Sequence, residues 1–220
     1  MRKKVISLYL VLIVFTVFVH PVQAQTIPSF TLEMEKETVY IDTNLLINVG
    51  VSDYVYGAVY STSAIDFSVL FDPSILEYTG FTTLENFHAT VRESVYSEVY
   101  NSQRIIISMV GQENAVNADT ELITLNFRPK KIADTELIIY RSVAGTSAGT
   151  VFYPKNTSTV VRICHPYDVN QDGAVNIADL ASVSYHVGKS AGGYPNYDVN
   201  RDGVIDSTDV DLITEYLLNS

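Results

Sequence analysis

The sequence predicts a mainly β chain, a jelly-roll-like β-sandwich followed by a small all-α module of two loop–helix units. Three observations carry this. Between Gln25 and Ile163, apolar and polar residues alternate in short runs closed by turn residues, the period-two pattern of half-buried strands. After residue 168 the spacing becomes helical, with Leu180, Val183 and Val187 in one run and Val210, Ile213 and Leu217 in the next. The stretch Asp168-Val-Asn170-Gln-Asp172-Gly173-Ala-Val-Asn176-Ile-Ala-Asp179 also returns, thirty residues on, as Asp198-Val-Asn200-Arg-Asp202-Gly203-Val-Ile-Asp206-Ser-Thr-Asp209.

The first element is an export signal. Arg2-Lys3-Lys4 is followed by an apolar stretch from Val5 to Val19 and a small-x-small site at Val22-Gln23-Ala24, so residues 1–24 are expected to be removed and the mature chain to begin at Gln25. The apolar stretch falls short of the roughly 20 residues that cross a bilayer, and Pro21 follows it, so no membrane span is expected after cleavage. Cleavage removes three basic residues and no acidic one, leaving 11 basic against 25 acidic groups and a formal charge of −14. That balance excludes a nucleic-acid partner.

Residues 25–163 form the sandwich. Ile65, Phe67, Val69 and Phe71 alternate with Asp66, Ser68 and Leu70 before Asp72-Pro73 stops the strand. Further strands are predicted over 45–51, 91–100, 104–110, 121–127, 136–140, 151–153 and 159–163, and no long helical pattern interrupts them, which gives eight or nine strands in one domain. Cys164, the only cysteine, allows no internal disulfide. A partly buried small residue and a thiol open to intermolecular pairing both fit it.

Residues 164–220 form the second module, with loop–helix repeats at 168–189 and 198–219. Oxygen-bearing side chains at loop positions 1, 3, 5, 9 and 12 are spaced to wrap a hard cation, with the carbonyl of position 7 completing the set. The predicted calcium ligands are Asp168, Asn170, Asp172, Ala174, Asn176 and Asp179 for one Ca2+, and Asp198, Asn200, Asp202, Val204, Asp206 and Asp209 for a second. Position 6 turns sharply, and Gly173 and Gly203 take that turn without a Cβ penalty. Glycine and proline before Asp198, and Pro166 before Asp168, leave no room for an entering helix. A module this small supplies only about 3–5 kcal/mol from one apolar core, so the ions are expected to complete its stability.

A duplicated loop-plus-one-helix unit with the pattern D-V-N-x-D-G-x-x-N/D-x-x-D resembles the type I dockerin family over residues 164–220. The sandwich in turn resembles the cohesin family, whose modules receive dockerins, through Ala64-Ile-Asp66-Phe67-Ser-Val-Leu-Phe-Asp72-Pro73-Ser-Ile-Leu76-Glu77, Arg104-Ile-Ile-Ile and Leu122-Ile-Thr-Leu-Asn-Phe. The resemblance implies a non-catalytic, secreted, extracellular bacterial protein of a cellulosome-type complex, held near the cell surface through its scaffold. It implies a cohesin-bearing scaffold as partner, and contact residues at loop positions 10 and 11: Ile177 and Ala178 in one repeat, Ser207 and Thr208 in the other. In type I cohesins an Asn-x-Asp-Phe segment hydrogen-bonds the partner; Asp66 matches the Asp, and Ala64 stands where the Asn would be. The sandwich is expected to bind dockerin proteins or polysaccharide, and the chain to be a monomer.

An enzyme is not expected. Glycoside hydrolysis needs two carboxyls poised in a cleft, and the acidic residues here fall mainly at strand ends and on outward faces. His88, His165 and His186 are far apart, with no serine or cysteine motif beside them. Carbohydrate binding is the second reading: the chain has no tryptophan, but Tyr54, Tyr56 and Tyr60 cluster in one segment.

Overall fold

The computed structural model describes residues 27–34, 38–41, 43–53, 61–109 and 115–220. The predicted export signal and the cluster of Tyr54, Tyr56 and Tyr60 lie outside the described residues.

Eleven strands are present among the described residues: β1 (Ser29–Met34), β2 (Thr38–Tyr40), β3 (Leu45–Ser52), β4 (Thr62–Phe71), β5 (Leu76–Thr83), β6 (Phe87–Val95), β7 (Asn101–Met109), β8 (Thr120–Pro129), β9 (Asp134–Thr146), β10 (Val151–Phe152) and β11 (Ser158–Cys164). They form two sheets. One has the antiparallel order β1-β3-β8-β5; the other runs β2-β11-β9-β4-β7-β6, with β10 added to β9 and β2 pairing in parallel with β11.

The alternation places one side of each strand in a shared core. Ile65, Phe67, Val69 and Phe71 of β4, with Ile105 and Ile107 of β7 and Leu137 and Ile139 of β9, face Ile47, Val49 and Val51 of β3 and Ile123, Leu125 and Phe127 of β8, all of them buried. Each such side chain contributes about 1.5–3 kcal/mol through burial. Phe71 and Tyr78 meet Phe127 edge-on at centroid distances of 5.2 and 5.7 Å. Gly50 sits where β3 bulges, and a Cβ there would lie 2.8 Å from Thr31 Oγ1 and 2.9 Å from the Thr120 carbonyl.

Three elements differ from expectation. The predicted strand 91–100 is a hairpin, because the Tyr96 and Ser97 N–H groups both donate to the Tyr100 carbonyl and Ser97 Oγ accepts from Val99 and Tyr100. Ser97 thus offers the backbone a local alternative to the ladder. The strand β5 is absent from the prediction because Gly80 interrupts its pattern; it sits at a bulge with φ +149. The third, β2, is three residues long and is fixed by pairing with β11, a partner distant in sequence.

The C-terminal module contains α1 (Ile177–His186) and α2 (Ser207–Asn219), with single 3-10 turns at Ala191–Gly193 and Pro195–Tyr197 between them. Its core is Val169, Val183, Ala191, Ile205 and Ile213, partly covered by Leu180, Val210 and Leu217. Val187, expected on the first helix, is instead its C-cap and is 45% exposed; the chain turns away at Gly188, φ +81. His186 stacks on Tyr197 at 3.8 Å and 8°, closing the segment between the helices.

The joint between the modules is short and packed. Cys164 ends β11 and is buried, and desolvation, with Asp168 next, pushes its thiol pKa up, so the packed-residue reading of Cys164 holds. His165 then begins a turn closed by Asp168 N–H, and its ring packs on Tyr167 at 5.0 Å and Tyr216 at 4.6 Å. Across the joint, the guanidinium of Arg201 lies 4.9 Å from the ring centre of Tyr40. Burial raises the Tyr40 pKa, Arg201 lowers it, and Cys164 and Asp168 add smaller raising effects.

Candidate calcium loops and docking surface

The two loops have the same geometry. Asp168 accepts the N–H of Asp172 at 3.1 Å and of Gly173 at 2.9 Å; Asp198 accepts from Asp202 and Gly203 at the same distances. Gly173 and Gly203 both have φ +96. At position 4, Gln171 and Arg201 are left-handed too, at φ 59 and 62. The loops share this turn, and in the second Asp209 also accepts the N–H of Val199 at 2.7 Å.

Position 9 begins each helix. Asn176 accepts from Ala178 N–H and Asp206 from Thr208 N–H, both at 2.7 Å, while the position-12 residues, Asp179 and Asp209, accept the N–H of Asn176 and Asp206 at 2.9 Å. These are capping boxes, so the same side chains that face the loop also start the helix.

The donor set fits a hard cation. Asp179 and Asp209 are fully buried and Asp168 nearly so, yet among the described residues no loop carboxylate pairs with a lysine, arginine or histidine. A buried carboxylate without a counter-charge is costly, and coordination is the ordinary remedy. Among the described residues no three Asp, Glu, His or Cys side chains gather into a cluster that would hold an ion by themselves. Each loop instead offers carboxylate, amide and carbonyl oxygens together, the mixed set that calcium takes. The position-7 carbonyl of Ala174 lies 3.3 Å from Asn176 Nδ2.

The residues at positions 10 and 11 open the helices and are exposed: Ile177, at 71%, with Ala178, and Ser207 with Thr208. One pair is apolar and the other bears two hydroxyls.

Asp66 belongs to a different surface, the outer face of the larger sheet. Its carboxylate is held by Arg104, with Nε–Oδ1 at 3.1 Å and Nη2–Oδ2 at 2.6 Å. Sequence reasoning finds Asp66 but misses Arg104, because their proximity depends on the register of β4 against β7. Beside them β9 bulges: Asp66 pairs with Val143 and Ser68 with Tyr140, so Arg141 and Ser142 stand together opposite Phe67, with Arg141 at φ 54. A cleft of about 420 Å³ opens here, lined by Asp66, Ser68, Arg104, Arg141, Ser142 and Tyr153.

A model of the cohesin domain matches residues 30–164. The chain belongs to the cohesin family. A second model, of the dockerin type I domain, matches residues 166–218, so a dockerin directly follows the cohesin. The sandwich is similar to the cohesin module of a family 33 glycoside hydrolase from Clostridium perfringens, at 15% identity and TM-score 0.53, covering 63% of this chain and 97% of that one. It is also similar to the sixth cohesin of scaffoldin B from Acetivibrio cellulolyticus, solved with a Cel5 dockerin (19% identity, TM-score 0.47, 61% and 99% covered). A third likeness is to the OlpA cohesin of Clostridium thermocellum, solved with a dockerin (11%, TM-score 0.48, 61% and 99%). At such identities the first of these supports the fold alone. No curated protein matches the chain.

Cohesin and dockerin domains are non-catalytic assembly modules, and their union makes this a cellulosome-type protein–protein assembly module. Type I dockerin domains bind calcium, and modules of this type are extracellular. No helix among the described residues is long and apolar enough to cross a membrane.

Proposed function

We propose that this chain is a secreted, non-catalytic adaptor whose dockerin docks, in a calcium-dependent manner, onto a cohesin of a scaffold. In this reading residues 1–24 are cleaved, residues 25–163 form the cohesin and residues 164–220 the dockerin. One calcium is held by Asp168, Asn170, Asp172, Asn176, Asp179 and the Ala174 carbonyl, the other by Asp198, Asn200, Asp202, Asp206, Asp209 and the Val204 carbonyl. The observation that carries the reading is the coupling of loop to helix: the residues that would hold each ion also form the capping box that presents the exposed pair at positions 10 and 11. An ion in the loop therefore organises the surface offered to the partner.

The two pairs are chemically unlike, so they suit different partner surfaces and one docking orientation dominates. Asp66, already paired with Arg104, lacks a free carboxylate for the usual contact, and Ala64 removes the neighbouring amide. Both features favour different partners for the two modules, and hence a monomer. Retention of the mature chain on a panel of immobilised type I scaffold cohesins tests the proposal. Retention is expected with calcium and lost with chelator, and Ser207→Ala with Thr208→Ala should weaken it more than changes at Ile177 and Ala178. Retention indifferent to chelator overturns the proposal, and equal effects from both pairs overturn the single orientation.

A further inference from the structure

The larger sheet of the cohesin carries three unfavourable features on or beside its outer face, and Arg104, Arg141 and Tyr153 among them line one cleft. Arg92 of β6 and Arg104 of β7 are directly opposed in register, and like charges so placed repel. Arg141 is held at φ 54, a left-handed conformation that costs a non-glycine residue free energy and that a bulge imposes on it. Tyr153, at the cleft wall, is 70% exposed. Neither Arg92 nor Arg141 has an ion-pair partner among the described residues, and the only carboxylate lining the cleft is Asp66, already engaged by Arg104. On a chain whose mature form carries a formal −14, this is a local excess of positive charge.

We propose that this cleft binds a carboxylated sugar, a uronate unit of an acidic polysaccharide. The inference goes beyond the assembly role and stands whether or not the dockerin reading holds. Arg141, without an ion pair, supplies the planar fork that matches a carboxylate in two parallel hydrogen bonds. The exposed ring of Tyr153 gives an apolar face for the C–H side of a pyranose, with the hydroxyl at its rim. Ser68 Oγ and the Asp66–Arg104 pair line the floor and offer both donors and acceptors to sugar hydroxyls. The size agrees: about 420 Å³ lies within the range of small-molecule sites and would hold one or two sugar rings, whereas a protein helix needs a longer, flatter surface. Strain retained at Arg141 is explained by its service to a ligand, since glycine would occupy that backbone position without cost.

Titration of the full mature chain with trigalacturonate, with its methyl ester and with neutral xylotriose decides the matter. Binding is expected for the free acid, weakened by salt. Arg141→Gln and Tyr153→Ala should each reduce affinity at least about tenfold, the ordinary worth of a hydrogen bond to a charged group or of a lost stacking face. Arg162→Ala, whose partner Asp134 lies outside the cleft, should leave binding unchanged. Arg141→Gly should abolish the gain from the carboxylate while leaving the melting temperature no lower than that of the wild type. Absence of trigalacturonate binding, equal binding of the ester, or indifference to Arg141→Gln overturns the proposal. So does capture of a dockerin-bearing protein on this cleft in place of the sugar. Retention on scaffold cohesins, measured on the same variants, reports the dockerin separately, so loss of one activity is never mistaken for loss of the other.

Discussion

Asp179 and Asp209 are where two demands meet on one carboxylate. Each is fully buried, accepts the N–H of its helix N-cap, and also accepts from Asn170 or from Val199 and Asn200 across the loop. Replacing either with alanine is expected to remove a proposed calcium ligand and unpick a capping box together, the cap alone being worth about 0.5–2 kcal/mol. Circular dichroism with and without chelator checks this: Asp209→Ala should lose more helix than Asp179→Ala, because the second loop has four carboxylates to the first loop's three. A second residue-scale prediction concerns Tyr78. Burial, with Glu93 adding to it, pushes its phenol up to about 12 from an ordinary value near 10. A phenol raised in the folded state favours folding while neutral, so its contribution is complete below pH 10 and is lost as pH rises through about 12. Tyr78→Phe, which keeps the edge-on contact with Phe127, should flatten the decline in urea midpoint between pH 10 and 12.

At the scale of the element, β7 contains an unusual member. Gln103 points into the sandwich core beside Val69, is 1% exposed, and among the described residues neither its Nε2 nor its Oε1 has a hydrogen-bond partner. Leaving a buried polar group unpaired costs about 1–3 kcal/mol, so Gln103→Met, of similar volume, should raise the urea midpoint by a corresponding amount. Gly50→Ala should do the opposite, because its Cβ meets the Thr120 carbonyl, a backbone atom that cannot swing aside; a loss of about 1–3 kcal/mol is expected from overpacking. These elements also show what sequence can and cannot specify. The turns and helix starts of the two loops are legible residue by residue because their pattern is local: the glycine, the Asx side chains and the N-cap lie within twelve residues. The main strands are legible for the same reason, through the alternation of β4 and β3. The turn at Ser97, the short β2 and the Asp66–Arg104 pair are not, since each depends on which strands become neighbours and in what register. The surface around Arg141 is hidden for a further reason, because the bulge that reorients it leaves no mark in hydrophobic periodicity.

For the whole molecule, the joint is the decisive feature. A three-residue connection, His165-Pro166-Tyr167, without a flexible spacer is folded into a turn, packed by His165, Tyr167 and Tyr216, and braced by Arg201 over Tyr40. Arg201 occupies position 4 of the second loop, so filling that loop should fix the brace. X-ray scattering of the mature chain is expected to show a narrower distribution of overall dimensions with calcium than with chelator, and Tyr40→Ala or Arg201→Ala should broaden it in calcium. An unchanged distribution in both variants would mean that the aromatic turn alone sets the arrangement. Such a chain cannot easily fold its dockerin back onto its own cohesin face. Docking between copies is not expected either, with Asp66 engaged by Arg104 and Ala64 in place of an amide, so light scattering across a concentration series in calcium should report a constant monomer mass.

The same joint has a mechanical consequence. When the dockerin is held by a scaffold and the sheet face by a load, tension enters the cohesin at Cys164, along the axis of β11. That strand is hydrogen-bonded to β9 from Ser158 to Arg162 and, in parallel, to β2 from Arg162 to Cys164. Its bonds lie across the direction of pull. They must shear together instead of peeling one by one, so the attachment point between the two modules lies on a strand whose ladders on both sides oppose such a pull.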